Sequence, residues 1–159
     1  MYRSEQAFSS ALCEMLRRHS PMVCRIETGT TRRGVPDIYM VHNGAEIWIE
    51  TKNVKSASVE DDEWGVTWES GQQAWAYDYF RAHNKKKWSY TMVALKDGFL
   101  LIPMTKAFLP MFRHKFQGKV RVAYKVVLED TYRARNMAYI VKALFHNAQN
   151  APFSEYVGH

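Results

Sequence analysis

The clearest pattern of apolar positions is a pair of short runs, Val35–Val41 and Ile47–Lys52, on either side of the dipeptide Asn43-Gly44. Asn-Gly between two such runs is typical of a tight β-hairpin. The pattern therefore predicts two antiparallel strands that are joined at this turn.

Charged residues fall at one place on this predicted hairpin. Glu50 and Lys52 are two positions apart, so they point to one face, whereas Thr51 points to the other. Asp37 follows Pro36 at the head of the partner strand, where proline is tolerated. Asp37 can therefore lie beside Glu50, which would bring two carboxylates and one ammonium group together.

This cluster has two interpretations. Paired carboxylates repel unless a positive charge lies between them, and a divalent cation that keeps several waters, such as Mg²⁺, suits the pair. Lys52 would then orient a water or stabilise a charged phosphate. The alternative is a surface hairpin with an exposed Asp37 and a weak pair between Glu50 and Lys52. A short motif does not by itself decide between them.

The other periodicities predict an α/β (α+β) domain. Helical spacing of apolar residues predicts helices over residues 4–19, 70–84, 105–116 and 131–147. Strands are predicted over residues 23–28, 88–95, 99–102 and 120–127. The order α-β-β-β-α-β-β, followed by further elements, predicts a mixed β-sheet flanked by helices, with the charged cluster on its central strands.

Residues 53–69 are polar and are predicted to form a loop. Its acidic residues, Glu60 to Glu63, are candidate metal ligands, but a solvated acidic surface is the commoner explanation. Trp64 and Trp68 are unusual in a solvated loop. They would pack inward, meet a second chain or stack on a base.

The first predicted helix adds another candidate carboxylate. Glu5 falls on the same side as Phe8, Leu12 and Leu16, whereas Glu14 falls on the opposite side. An acid in line with a buried stripe needs a partner there. A first-turn carboxylate favoured by the helix dipole explains Glu5 equally well.

Composition narrows the class of protein. The chain has 159 residues, of which 47% are apolar and 24% charged, as in an ordinary globular domain. No apolar run could span a bilayer, and the start lacks the apolar core of a signal peptide. Cys13 and Cys24 make neither a disulfide framework nor a zinc motif. We therefore expect an intracellular protein without a membrane partner.

The formal net charge is +6. Basic residues cluster at positions 17–18, 32–33, 85–87 and 113–125. Such a surface attracts the phosphates of nucleic acid, although a generic basic surface also serves solubility. The charge favours a polyanionic partner.

Pro36-Asp37 together with Glu50-Thr51-Lys52 resembles the motif of the PD-(D/E)xK nuclease superfamily. Within it, the chain is most similar to the Holliday junction resolvases and VRR-NUC domains, over about residues 4–110. The resemblance implies a restriction-endonuclease-like sheet in a single domain, 1–159. Residues 111–159 match nothing in these families and are predicted to be an extension packed on it.

The resemblance also implies an Mg²⁺-dependent endonuclease, in which Mn²⁺ would substitute. Glu5, Asp37 and Glu50 would bind the metal, and the backbone carbonyl of Thr51 would face it. Lys52 would position the attacking water or help to deprotonate it.

A helical glutamine near the scissile phosphate is part of the same resemblance. Gln73 matches it, and Gln72 competes for the role. Branched DNA is the implied substrate, which would require a homodimer because a junction needs two symmetric cuts. The implied location is the cytoplasm of a bacterium or of a phage-infected host. Flanking phosphates would be bound by Arg32, Arg33, Lys55, Lys85, Lys86 and Lys87.

Two other functions stay open, a non-catalytic nucleic-acid-binding module and a protein-interaction subunit. The intact set of Asp37, Glu50 and Lys52 argues against simple binding, because unused buried charges are costly. The Trp and Tyr content is the support for an interaction subunit. Divalent-dependent cleavage would separate an enzyme from both, and salt-dependent DNA binding would separate the other two.

Overall fold

A computed structural model describes residues 1–26, 34–82, 89–104, 116–125 and 131–149. The helices in this part are α1 (Glu5–Arg17), α2 (Ser70–Ala82) and α3 (Met137–Ala148). The strands are β1 (Val23–Arg25), β2 (Ile38–His42), β3 (Ala45–Val54), β4 (Glu63–Glu69), β5 (Ser89–Leu95), β6 (Phe99–Pro103), β7 (Lys119–Lys125) and β8 (Tyr132–Ala134).

The strands form two sheets. The large sheet has six strands in the order β1-β2-β3-β5-β6-β8. Its neighbours are antiparallel except for β3 and β5, which run parallel. β4 and β7 form a separate antiparallel ribbon. The predicted mixed sheet flanked by helices is confirmed, and β3, which carries the charged motif, lies inside it.

Hydrophobic side chains cover both faces of the large sheet. One face packs against α1 and α3, with a core that includes Phe8, Leu12, Ile47, Ile49 and Leu144. The other face packs against the ribbon and α2, with a core that includes Trp64, Val66, Trp68, Trp75 and Tyr124. Burial of one such side chain contributes about 1.5–3 kcal/mol, so the ribbon is an integral layer of the fold.

The first helix forms as predicted. Its N-cap is Ser4, whose hydroxyl accepts a hydrogen bond of 3.1 Å from the backbone N–H of Ala7. Leu16 is buried near its end, and Glu14 is exposed. The helical phase that separates Glu14 from the core is therefore confirmed.

The hairpin also forms as predicted. Asn43 and Gly44 have φ angles of +48° and +80°, and the tightest hairpin turn needs positive values at both central positions. Pairing runs from His42 opposite Ala45 to the other end of β2, at Ile38.

The predicted loop over 53–69 is wrong at both ends. β3 continues to Val54, and β4 occupies Glu63–Glu69. Trp64 and Trp68 are buried, so of the three alternatives they pack inward. Their indole N–H groups donate to the Ser58 carbonyl and the Tyr124 hydroxyl respectively. The strand forms because β7, far along the chain, supplies its backbone partner.

The predicted helix over 131–147 starts too early. Residues 132–134 form β8 at the edge of the large sheet, and α3 begins at Met137 after the N-cap Asn136. Of the predicted helix over 105–116, residues 105–115 lie outside the described residues, as do the ends of several other predicted elements. Within the described part of the chain, no helix has the length and apolar character needed to cross a membrane.

Candidate functional site

Glu50 and Lys52 lie side by side beneath the start of α2. Both side chains are nearly buried, with 4% and 7% of their surface exposed. Gln72 joins them, because its amide nitrogen donates to Glu50 Oε1 (2.7 Å) and its carbonyl oxygen accepts from Lys52 Nζ (3.1 Å). The Lys52 ammonium lies 3.8 Å from Glu50 Oε1 and 4.9 Å from the centre of the Trp68 ring. The alternative of an exposed surface pair between Glu50 and Lys52 is therefore wrong.

Gln72, the predicted alternative to Gln73, contacts the charged pair. Its carbonyl oxygen also accepts the backbone N–H of Glu69 (3.0 Å), the last residue of β4. This bond holds the side chain at the junction of β4 and α2. Gln73 is buried one position further along the helix. Gln72 is therefore in place at Glu50 and Lys52, and the catalytic role of either glutamine stays a prediction.

Asp37 is held across the hairpin by Thr51. Its Oδ2 accepts two hydrogen bonds, from the backbone N–H (2.8 Å) and the hydroxyl (2.7 Å) of Thr51. The Thr51 hydroxyl also shares a short hydrogen bond with Ser9 of α1. The chain Ser9–Thr51–Asp37 therefore fixes this carboxylate to the first helix. Ser9 was not predicted, although a serine in the buried stripe of a helix is a signal that a polar partner faces it.

Glu5 reaches the same region from the first turn of α1. It lines a groove together with Lys52 and Asn53. Partial loss of solvent raises the pKa of Glu5, Lys52 lowers it, and the Asp37 carboxylate raises it again. The electrostatic coupling to Lys52 and Asp37 supports the predicted position of Glu5 beside the hairpin cluster.

The Glu50 carboxylate is under electrostatic strain. Burial raises the pKa of Glu50 well above its usual range, and the Asp37 carboxylate raises it further, whereas Lys52 lowers it. A second positive charge at this point would favour the ionised carboxylate.

The oxygen donors fit a magnesium ion only as a pair. Within the described residues, no three or more His, Cys, Asp and Glu side chains form a group that could hold a metal ion. The predicted set of Glu5, Asp37 and Glu50 is therefore not assembled as one cluster. Mg²⁺ in proteins usually takes one or two carboxylates and keeps waters, so Asp37 and Glu50 are a suitable donor set.

A groove of about 470 Å³ opens beside the buried pair. Lys55, one of the predicted DNA-binding residues, lines it and is exposed. The other predicted DNA-binding residues lie outside the described residues: Arg32, Arg33, Lys85, Lys86 and Lys87. The groove also includes Arg121, which the sequence did not single out.

No family model and no curated protein matches this chain. Among solved structures, the chain is similar to Hjc, a Holliday junction resolvase from the archaeal hyperthermophile Archaeoglobus fulgidus. The TM-score is 0.46 at 16% identity, and the match covers 62% of this chain and 75% of the resolvase. A likeness at this level supports no conclusion about function. The proposal below therefore depends on the residues of this chain.

Gly34 couples the two halves of the site. It precedes Pro36-Asp37, has a φ angle of +87°, and lies directly against the first turn of α2. A Cβ atom at Gly34 would be 2.0 Å from the Gly71 carbonyl oxygen and 2.7 Å from the Gln72 backbone nitrogen. The segment that carries Asp37 can therefore approach the Gln72 end of α2 only through a glycine.

We expect Gly34→Ala to destabilise the fold by about 2–5 kcal/mol, because left-handed strain adds to a clash with backbone atoms. Gly44→Ala is the matched control, since Gly44 also has a positive φ but no heavy atom within 4 Å of a built Cβ. That control should cost only about 1–2 kcal/mol. Urea unfolding measures both, and equal losses would show that the contact with α2 is unimportant.

Proposed function

We propose that this chain is a divalent-metal-dependent endonuclease of the PD-(D/E)xK superfamily, which hydrolyses phosphodiester bonds in DNA. The observation that carries the proposal is the burial of Glu50 and Lys52 side by side, joined by Gln72, with Asp37 fixed across the hairpin. A carboxylate and an ammonium group pay a desolvation penalty when they are buried, and replacement by apolar residues is often neutral or stabilising. The presence of this costly buried pair beside an open groove favours a catalytic role for it.

Asp37 and Glu50 would bind Mg²⁺, or Mn²⁺ in its place, with the Thr51 carbonyl as a further oxygen donor. Glu5, on the groove beside Lys52, would act on these ligands through its charge. When bound, the ion supplies positive charge at the scissile phosphate and acidifies a coordinated water. Lys52 would hold the attacking water or a phosphate oxygen through its ammonium group.

The residues around this set act by orientation. Gln72 holds Lys52 and Glu50 at fixed positions, and it is itself held by the backbone of Glu69. Thr51 does the same for Asp37. Because these partners are built into β3, β4 and α2, the charged groups need little rearrangement before the reaction.

The proposed substrate is branched DNA, which two copies of the chain would cut symmetrically as a homodimer. Residues 1–159 would form one domain, since β8 completes the large sheet, β7 completes the ribbon and α3 packs on the large sheet. The cytoplasm of a bacterium or a phage-infected host is the proposed location. Flanking phosphates would be bound by Arg32, Arg33, Lys55, Lys85, Lys86 and Lys87.

The test is incubation of the protein with labelled four-way junction, linear duplex and single-stranded DNA, in Mg²⁺ or in EDTA. We expect cleavage of the junction in Mg²⁺ and none in EDTA. Salt-dependent binding without cleavage of any substrate would indicate the non-catalytic binding module instead. Absence of both would refute a nucleic-acid function.

We expect Gln72→Ala to lower the single-turnover cleavage rate by about 10–100-fold, the usual effect of removing a residue that orients metal ligands. DNA binding should persist, because the amide contacts Glu50 and Lys52 rather than the exposed surface. Gln73→Ala is the neighbouring control and should retain most of the activity of its folded fraction. A larger rate loss in Gln73→Ala than in Gln72→Ala would reverse the assignment.

We expect Glu5→Gln to lower the single-turnover cleavage rate by about 10-fold or more. This is the usual effect of removing a charged group that lies next to metal ligands. Glu14→Gln should be nearly silent, because Glu14 lies on the opposite side of the same helix, away from the groove that Glu5 lines. Rates measured over a range of Mg²⁺ concentrations would show whether the Glu5 effect is a loss of metal affinity. Equal rates for the two variants would exclude Glu5 from the site.

A further inference from the structure

The outward face of the β4–β7 ribbon carries the basic residues of β7. Two of them face carboxylates across the ribbon. Lys119 is the register partner of Glu69, and their charged atoms are 3.9 Å apart. Lys125 is the partner of Glu63 at 4.0 Å. Each of these two exposed cations therefore has a carboxylate opposite it.

Arg121, between them, is arranged differently. Its register partner is Thr67, and none of the described carboxylates lies within ion-pair distance of its guanidinium group. The guanidinium lies over Gly65, where a built Cβ would be only 2.0 Å from Arg121 Cζ. A side chain at Gly65 would occupy the space of this group, so the glycine determines where the charge sits.

Arg121 and Lys55 line the same groove as Lys52. Lys55 also has no carboxylate within ion-pair distance in the part of the chain that the structure describes. One carboxylate, Glu5, lines the groove against these three cations. Ser56 and Thr67, which lie between them on the lining, carry the hydroxyl groups that commonly contact phosphate oxygens.

We propose that this groove binds the phosphodiester backbone of one nucleic-acid strand, with Arg121 and Lys55 as its phosphate-binding residues. Arg121 presents a planar fork of donors that matches phosphate, and Gly65 positions this fork. The groove shares Lys52 with the proposed active site. The strand bound in the groove would therefore be the strand that contains the scissile phosphate. This last point rests on the proposed nuclease function, whereas strand binding itself does not.

Binding in EDTA tests the proposal without cleavage. Fluorescence anisotropy with labelled junction and single-stranded DNA, over a series of salt concentrations, compares wild type with Arg121→Ala and Lys119→Ala. We expect Arg121→Ala to weaken binding about 5–10-fold and to reduce the slope of log K against log salt by about 0.7–0.9, the value of one lost phosphate contact. Lys119→Ala should change both much less, because Lys119 does not line the groove and has Glu69 opposite it.

A third variant tests the role of the glycine. Gly65→Ala keeps all charges but displaces the guanidinium, so it should weaken binding in the direction of Arg121→Ala while thermal unfolding shows an intact fold. Equal, small losses in Arg121→Ala and Lys119→Ala would overturn the proposal in favour of a diffuse basic surface. Tighter binding of a poly-glutamate peptide than of DNA would overturn it in favour of an acidic protein partner.

The outcomes separate this inference from the proposed enzymatic activity. If Arg121→Ala loses affinity but the wild type cuts no DNA in Mg²⁺, the strand-binding groove stands and the nuclease function fails. If the wild type cuts DNA and Arg121→Ala binds and cuts equally well, the nuclease function stands and the groove proposal fails.

Discussion

Glu50→Gln and Asp37→Asn are each expected to reduce Mg²⁺-dependent cleavage by more than about 100-fold, a larger loss than removal of an orienting partner usually causes. Each change replaces a negatively charged oxygen donor by a neutral amide of the same shape. Gln at position 50 keeps an oxygen that can accept from Gln72, and Asn at position 37 keeps one for Thr51, so the fold should survive. DNA binding should persist, because each variant has one negative charge fewer to repel phosphate.

The measurements are single-turnover cleavage of labelled junction DNA and anisotropy with the same DNA. Glu46→Gln is the control, since Glu46 lies on the same strand, is exposed and accepts a hydrogen bond from Tyr39. That variant should cut at the wild-type rate. Cleavage at that rate by the double variant of Asp37 and Glu50 would refute the metal-site assignment.

Lys52→Ala is expected to lower turnover by about 100-fold or more while divalent binding, measured by calorimetry, remains. The ammonium group is positioned by Glu50, Gln72 and the face of Trp68, so its loss removes a charge that no mobile side chain replaces. Lys52→Met keeps most of the apolar stem in the buried site and separates the loss of charge from the loss of packing. Both variants should be equally inactive.

Lys142→Ala is a suitable control, because Lys142 is an exposed lysine of α3, which packs on the other face of the large sheet. If Lys52 were only a structural partner of the buried Glu50, its removal would lower stability but not the activity of the folded protein. A Lys52→Ala protein that cuts as fast as wild type in single-turnover experiments would exclude a catalytic role.

The parts of the fold that depend on local sequence were predictable. Asn43-Gly44 supplies the two positive φ angles of the hairpin turn, and this turn determines which residues of β2 and β3 face each other. The alternation along β3 then separates Glu50 and Lys52 from Thr51. The position of Glu50 and Lys52 side by side on β3 was therefore predictable from spacing alone, whereas the contact of Asp37 with Thr51 was not.

Parts that depend on distant partners were not predictable. β4 alternates Trp64, Val66 and Trp68 inward, but its strand character is completed by β7, which lies far along the chain. The short β8 forms only because β6 offers a free edge to it. A single sequence shows neither pairing, since both segments lack a local turn that would indicate the partner.

The position of the glutamine at Glu50 and Lys52 could not be predicted from the helical periodicity of α2. Gln72 and Gln73 are adjacent, so they differ by about 100° around the helix, and either could face the strand. The choice depends on how α2 leaves β4, which is seen in the bond from the Glu69 backbone to Gln72. The Ser9–Thr51 contact likewise depends on the angle at which α1 crosses β3.

The parallel pairing of β3 and β5 has a consequence for how this protein can diverge. Parallel neighbours require a long crossover, and here that connection contains both α2 and β4. Because β4 alternates, Trp68 faces the core beneath while Thr67 and Gly65 face outward. Outward positions can therefore vary in evolution with little effect on folding or on Gln72, which in the proposed nuclease would let strand preference change while the reaction chemistry is kept.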